Sequence, residues 1–301
     1  MSYRTVFRPD LFAGQTHIVT GGGSGIGRCT AHELAALGAH VVLVGRKQEK
    51  LEAVAAELAE DGHEASWWTC DIRDEDRVRE VVAEVVAARG RVHGLVNNAG
   101  GQYAAPLVGI TKKGWEAVVA TNLTGGFLLA RELFTQHMCD HGGAIVNIVA
   151  EMWRGMPGMG HSGAARAGMV NFTKTAAVEW AAAGVRVNAL APGWIASSGM
   201  ETYPDYVKEQ MIGLREAVPM KRFGTEAEVS AGICFLLSPA AAFVSGTCLN
   251  IDGAAPLYPH NFPIPDHTES PYYDGFHRST PPGFLADQFA ARPDADPAGE
   301  G

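Results

Sequence analysis

Cysteine is sparse in this chain and follows no pattern. Cys29, Cys70, Cys139, Cys234 and Cys248 are odd in number, and none are spaced Cys-x-x-Cys. That speaks against a disulfide framework or a zinc ribbon and for buried free thiols in a reducing compartment. No apolar run reaches the ~18 residues of a membrane-spanning helix. The opening MSYRTVFRPDLFAG has no apolar signal core, and the last residues are not a Ser-Lys-Leu address, so the expectation is a cytoplasmic protein. Basic charge is also short. A formal net charge of −9 argues against a nucleic-acid partner. One further absence concerns chemistry: none of the seven tyrosines has a lysine four residues on.

What the chain does have is an alternation of apolar runs and helical stretches. Segments 16–20, 40–45, 64–70, 92–98, 144–149, 185–190 and 247–252 read as strands, with HVVLVG at 40–45 buried. Amphipathic patterns lie between them, near 25–37, 47–62, up to Arg89, and at 113–138, 162–183 and 225–237. Strands separated by helices of this length give right-handed βαβ units and a parallel sheet covered on both faces. The fold expected is α/β: a single-domain, doubly wound Rossmann-type sheet of seven parallel strands over residues 1–255. Its 36 glycines suit the tight turns such a fold needs. Residues 193–224 fall after the sixth strand, at the carboxyl edge where such sheets bind ligands, and read as a lid. Residues 256–301 form a C-terminal extension with nine of the sixteen prolines and little periodicity. They read as a surface-hugging or partly disordered tail, or as a strap over the active-site mouth or a neighbouring subunit.

The first strand runs into Thr20-Gly21-Gly22-Gly23-Ser24-Gly25-Ile26-Gly27. A glycine-rich turn opening a helix lets the backbone approach a pyrophosphate, with free N–H groups and a favourable dipole behind it. Gly21, Gly23, Ser24, Gly25, Ile26 and Gly27 are therefore cofactor candidates. The second strand ends Gly45-Arg46-Lys47, with no acid to meet a ribose 2′-hydroxyl. Arg46 and Lys47 instead favour a 2′-phosphate and hence NADP(H). After the third strand, Asp71 and Ile72 are placed for the adenine edge. After the fourth, Asn98, Ala99 and Gly100 can support the adenosine ribose.

These motifs resemble the short-chain dehydrogenase/reductases. So do Thr121-Asn122-Leu123-Thr124-Gly125, Gly143-Ala144-Ile145-Val146-Asn147-Ile148 and Pro192-Gly193, and the likeness runs from about residue 10 to residue 253. The resemblance implies that Pro192, Gly193 and Ile195 bind the nicotinamide carboxamide, with Ser197 at the usual Thr position. It implies Asn122 as a catalytic residue and a homo-tetramer or homodimer packed through helices 113–138 and 162–183. It also implies a Tyr-x-x-x-Lys pair, and the chain departs there. The Tyr slot holds Ser162, the Lys slot Arg166, and the Ser that normally ends the fifth strand is replaced in Val149-Ala150-Glu151.

A phenol ionises near about 10 and can exchange a proton with a carbonyl oxygen, whereas a serine hydroxyl is far less acidic and guanidinium stays charged. Reducing a double bond conjugated to a thioester avoids that demand. Charge develops on the thioester oxygen, which needs donors, and the proton goes to carbon. Ser162 can donate to that oxygen. Arg166 can fork onto the nicotinamide ribose. The segments His161–Gly168 and Asn171–Lys174 are similar to those of the peroxisomal trans-2-enoyl-CoA reductases. Asn97–Tyr103, Asp252-Gly253 to Tyr258 and Pro265-Asp266-His267 are too. That likeness implies NADPH-dependent reduction of an acyl-CoA 2,3 double bond. A 2,4-dienoyl-CoA reductase, a carbonyl reductase with a relocated acid and a silent NADP-binding protein are the alternatives. For the proton donor, Tyr103 beyond the fourth strand is the first candidate. Glu151 would need a raised pKa, and His161 points away from Ser162 as helix-start packing. Lys112, Lys113, Arg154, Arg215, Lys221 and Arg222 are the cations available to an anionic coenzyme A.

Overall fold

The structure, a computed structural model, describes residues 2–259 and 261–290. Seven strands alternate with helices: β1 (Thr16–Thr20), α1 (Gly25–Ala36), β2 (His40–Gly45), α2 (Gln48–Glu60), β3 (Ala65–Thr69), α3 (Glu75–Arg89) and β4 (Gly94–Asn97). A long helical run over 112–141 comes next, then β5 (Gly143–Ile148), a helix Gly160–Glu179, β6 (Val185–Pro192), the lid segment, a helix Glu226–Leu237 and β7 (Cys248–Ile251). All pairings are parallel, in the order β3-β2-β1-β4-β5-β6-β7. Strands such as HVVLVG bury their central residues completely because helices cover both faces, which leaves no position for polar alternation. The order reverses direction between β1 and β4. That switch point opens a crevice at the carboxyl ends of the strands.

The run over 112–141 is not the single helix its sequence suggests. It comprises α4 (Lys112–Val119), α5 (Gly125–Leu133) and α6 (Cys139–His141), joined by π turns at Ala120–Thr124 and Phe134–Met138. Each π turn adds one residue to the helical repeat and re-aims the side chains beyond it, a device often found at functional sites. The first of them carries Asn122. Close packing holds the turn down: a Cβ on Gly125 would lie 2.6 Å from the Ile72 side chain, and one on Gly126 2.7 Å from Met169. The helix Gly160–Glu179 (α7) crosses behind it.

Residues 193–224, the segment read from sequence as a lid, fold as a 3-10 turn Ser198–Thr202, a short helix α8 (Asp205–Ile212) and a second 3-10 turn. The helix after it, α9 (Glu226–Leu237), starts in a reciprocal cap in which Thr225 and Glu228 bond each other's backbone N–H. Beyond β7 the described part of the tail is a strap over its own chain. Phe276 packs on Tyr3 and His32, and Arg278 pairs with Asp61 at 2.8 Å. Leu285 and Phe289, the latter in α10 (Ala286–Ala290), bury against Met200, Met211 and Phe223 of the lid segment. Residues 291–301, the end of the tail read from sequence, lie outside the described residues. Among the described residues no helix is long and apolar enough to cross a membrane.

Candidate active site

The crevice begins at the glycine-rich turn. Gly21 stands at φ +65° and Gly25 at φ +57°, conformations that favour glycine. A Cβ on Gly27 would overlap the Gly21 carbonyl, so the helix can pack this close only without one. Thr20 ties the turn to the neighbouring strand end. Its hydroxyl accepts the N–H groups of Asn98 and Ala99 at 2.9 Å, and the Asn98 amide donates to the Thr20 carbonyl at 2.9 Å. Ser24 caps α1 without a side-chain bond, and the first turn holds no acid, so its N–H groups face the crevice free for an anion. This cradle fits a dinucleotide pyrophosphate.

At the end read from sequence as the adenine side, a cavity of about 220 Å³ is lined by Gly23, Arg46, Lys47, Lys50, Asp71 and Arg73, among others. Lys50 and Arg73 extend the cationic rim that the sequence marks only at Arg46 and Lys47. Arg73 also grips Asp71, through Nε at 2.9 Å and Nη2 at 2.5 Å, and holds its carboxyl down at about 2. At the opposite end Pro192 closes β6. Gly193 donates to the Ile251 carbonyl at 2.9 Å, and a Cβ there would lie 2.7 Å from the Asp252 backbone. Ile195 is buried and bridged to Gly224, and Ser197 adjoins Gly25.

The candidate reaction centre around Asn122 and Ser162 is a hydrogen-bonded chain. Asn122 Oδ1 accepts from the Gly101 N–H at 2.9 Å, and its Nδ2 donates to Ser162 Oγ at 3.3 Å. The Ser162 hydroxyl donates in turn to Gln102 Oε1 at 2.6 Å, and Gln102 Nε2 donates to the Tyr203 hydroxyl at 3.3 Å. One turn further along α7, Arg166 is buried, with Nη1 on the Ile148 carbonyl at 2.6 Å and Nε unpartnered among the described residues. Burial, with no facing carboxylate, lowers it to about 10, so it remains a cation at neutral pH. Gly100 makes room for it: a Cβ there would stand 2.6 Å from Arg166 Nη2. The unpartnered donor and the glycine clearance fit a ribose beside the guanidinium. Beneath, Asn97 bonds Asn147 at 2.9 Å and Asn147 bonds Thr173 at 2.9 Å, fixing the β4 and β5 ends against α7.

Several expectations need revision. Tyr103 rests edge-to-face on His161 with ring centroids 4.6 Å apart, and its oxygen lies against Gly114 at the start of α4. The phenol that joins the Ser162 chain is Tyr203 of the lid. Gln102 lies in the Asn97–Tyr103 segment that carries the resemblance, but its irregular loop has no periodicity to mark it as a partner of Ser162. His161 is fully buried and accepts the Ser162 N–H at Nδ1, in keeping with a packing role. Glu151 is not simply solvated: Oε1 is buried without a partner, and burial, then Asp252, raises its carboxyl. Of the six cations considered for coenzyme A, Lys112, Arg215, Lys221 and Arg222 are each paired with a glutamate.

The family model described as Enoyl-(Acyl carrier protein) reductase matches residues 21–254. A probable 2,4-dienoyl-CoA reductase [(2E)-enoyl-CoA-producing] of Bacillus subtilis (strain 168) is 36% identical over 249 residues, 81% of this chain and 98% of that protein. Among solved structures, a citronellol catabolism dehydrogenase (AtuB) of Pseudomonas aeruginosa PAO1 is 64% identical with a TM-score of 0.77. It covers 84% of this chain and 99% of its own. A putative NAD(P)-dependent gluconate 5-dehydrogenase of Beutenbergia cavernae, solved with bound NADP, is 34% identical with a TM-score of 0.78, covering 83% and 100%. With this sheet order, this crevice and these matches, the chain belongs to the short-chain dehydrogenase/reductase family of oxidoreductases.

Proposed function

We propose that this oxidoreductase uses NADP(H) to reduce the 2,3 double bond of a trans-2-enoyl-CoA. The observation that carries the reading is the Ser162–Arg166 pair. A hydroxyl that cannot ionise near neutral pH stands where carbonyl reduction needs a phenol, yet donors still converge there. Asn122 Nδ2 and the Ser162 hydroxyl can both point at a thioester oxygen once Ser162 releases Gln102. Such donors stabilise the enolate oxygen of a conjugated acceptor without giving up a proton. Bound NADPH would supply the hydride to the β-carbon, and a proton from solvent would complete the reduction at the α-carbon. Arg166 would orient it through the ribose hydroxyls, and Pro192, Gly193 and Ile195 would hold its carboxamide face. Arg46, Lys47, Lys50 and Arg73 support the phosphorylated form, since no free acid faces the 2′ position. Arg46→Asp is expected to shift preference toward NADH by about tenfold or more.

The deciding experiment measures NADPH oxidation with crotonyl-CoA, longer 2-enoyl-CoAs, a 2,4-dienoyl-CoA and a 3-ketoacyl-CoA. Citronellol with NADP⁺ belongs in the same panel, because the 64% identical structure carries a citronellol catabolism name and so favours an alcohol as second reading. Fastest turnover on the 2-enoyl thioesters is expected. Turnover confined to the ketone or to citronellol sinks the enoyl reading. We also propose that residues 1–255 form the reductase unit and that it pairs with further copies. Phe127 on α5 and Val178 on α7, 36% and 78% exposed, lie on the faces that such pairing would cover.

A further inference from the structure

A second cavity, larger than the one at the adenine end and apart from it, measures about 600 Å³ and opens where the lid, the β7 end and the tail meet. Trp194, Val218 and Met220 give it apolar walls. Its polar lining is mostly engaged already. Arg222 and Glu228 bond each other at 2.6 and 3.0 Å, and Arg222 also donates to the Ser270 carbonyl at 3.1 Å. Two buried atoms on lining residues have no partner among the described residues: Asp252 Oδ2 and His267 Nδ1.

Both are acceptors. Asp252 Oδ1 takes the Ala254 N–H at 2.9 Å, which fixes the carboxylate and leaves Oδ2 over. His267 Nε2 lies 3.0 Å from the Pro219 carbonyl, which can only accept, so the proton of the neutral ring sits on Nε2. Nδ1 then carries a lone pair. Buried acceptors left without donors are costly, so a ligand seated here must bring N–H or O–H groups. A phosphate or carboxylate brings only acceptors and so leaves both atoms without donors. An acyl chain and its thioester offer no donor. A pantetheine arm does: it has two secondary amides separated by short methylene spacers. Trp194 and Ile195 directly follow the Pro192-Gly193 turn, so the cavity adjoins the reaction centre.

We propose that this cavity binds the amide arm of the thioester substrate, with one amide N–H on Asp252 Oδ2 and the other on His267 Nδ1, and the methylenes against Trp194 and Met220. The inference rests on the enoyl-thioester reading above. It assigns Asp252 and His267 as specificity residues that separate arm-bearing thioesters from simple alcohols.

The test uses the full chain and S-butyl pantetheine, a thioether that keeps both amides and cannot be reduced. Calorimetry should show one-to-one binding to the wild type and no binding of butyl ethyl sulfide. Asp252→Asn is nearly isosteric. The Ala254 N–H holds the amide oxygen, so the variant presents NH₂ to the cavity and turns an acceptor into a donor. Its affinity is expected to fall tenfold or more, as is that of His267→Phe, which changes a different segment and so guards against a folding artefact. In kinetics, the KM advantage of crotonyl-CoA over S-ethyl thiocrotonate should shrink about tenfold in either variant. Equal affinity in wild type and both variants, or no binding to the wild type, overturns the assignment. The two proposals fail separately: loss of turnover on every thioester defeats the function, while the thioether titration still decides the cavity.

Discussion

Arg166 shows how function is stored against stability in a single residue. A guanidinium buried without a carboxylate, and with Nε unpartnered, opposes folding in the free protein. Arg166→Met, similar in length and apolar, is expected to raise the apo stability by about 1–3 kcal/mol. The same change should weaken NADPH about 10–100-fold, since charge-assisted hydrogen bonds to a ligand contribute about 1.5–3 kcal/mol each. Thermal unfolding and NADPH fluorescence titration measure the two effects. A lower melting temperature with unchanged affinity would make Arg166 a structural residue after all. Ser162→Ala tests its neighbour. If the hydroxyl supports the enolate, kcat on crotonyl-CoA should fall about 10²-fold with KM little changed. A wild-type rate would reduce Ser162 to a small residue that makes room. Both positions were read from the family resemblance, whose Tyr and Lys slots they fill, and a spacing of four on α7 places them on one face. Their link to Gln102 and Tyr203 was not legible in sequence: Gln102 reaches Ser162 from an irregular loop and Tyr203 reaches Gln102 from the lid segment, where no period relates spacing to direction.

The elements themselves were easier to read than the site. Apolar runs located the central strands to within two or three residues, since a parallel sheet buried on both faces leaves little else in them; the edge strands β3 and β7, half-buried, were read from the alternation with helices. The π turn at Ala120–Thr124 escaped because one extra residue barely disturbs an apolar stripe, though it sets where Asn122 points. The start of α9 offers an element-scale prediction. Glu226, at its first turn, is buried beside the glycine-rich turn, within 3.8 Å of where a Gly25 Cβ would stand. Burial lifts its carboxyl to about 7, against the opposing pull of Arg28 and the Ser198 N–H. With a folded value above the ordinary 4.5, the folded state holds a proton that the unfolded chain releases. The cost is therefore absent below pH 4.5, grows between 4.5 and 7, and levels off above that at no more than about 3 kcal/mol. Glu226→Gln should match the wild-type melting temperature near pH 4.5 and exceed it by several degrees at pH 8. A constant difference across that range would mean that the carboxyl does not titrate there.

At the scale of the whole molecule, the tail's composition left a surface-hugging segment, a partly disordered one and a strap open. A few irregularly spaced aromatics fasten its described part along its own chain. Phe276 sits between Arg28 and His32, at 5.0 and 5.1 Å, while Leu285 and Phe289 enter the lid cluster. Asp61 is the anchor. Arg278 reaches its two oxygens at 2.8 and 3.2 Å, and His277 and His32 face Oδ2 at 2.9 and 3.2 Å. Burial works against the charge, but Arg278, His277 and His32 outweigh it and hold the carboxyl below its ordinary value. A depressed folded value contributes stability that is present above the ordinary carboxylate range and lost as pH falls through it. Asp61→Asn should therefore cost about 2–4 kcal/mol at neutral pH, and the deficit should shrink toward pH 3. Because one strap touches both α1 and the lid, loosening it at Asp61 should also expose the lid. Tryptic cleavage after Lys208 or Arg215 is expected to accelerate in Asp61→Asn at pH 7.5. If stability falls while those sites keep their wild-type cleavage rate, the strap secures only α1 and α2, and the lid is held by its own contacts with Trp194 and Phe223.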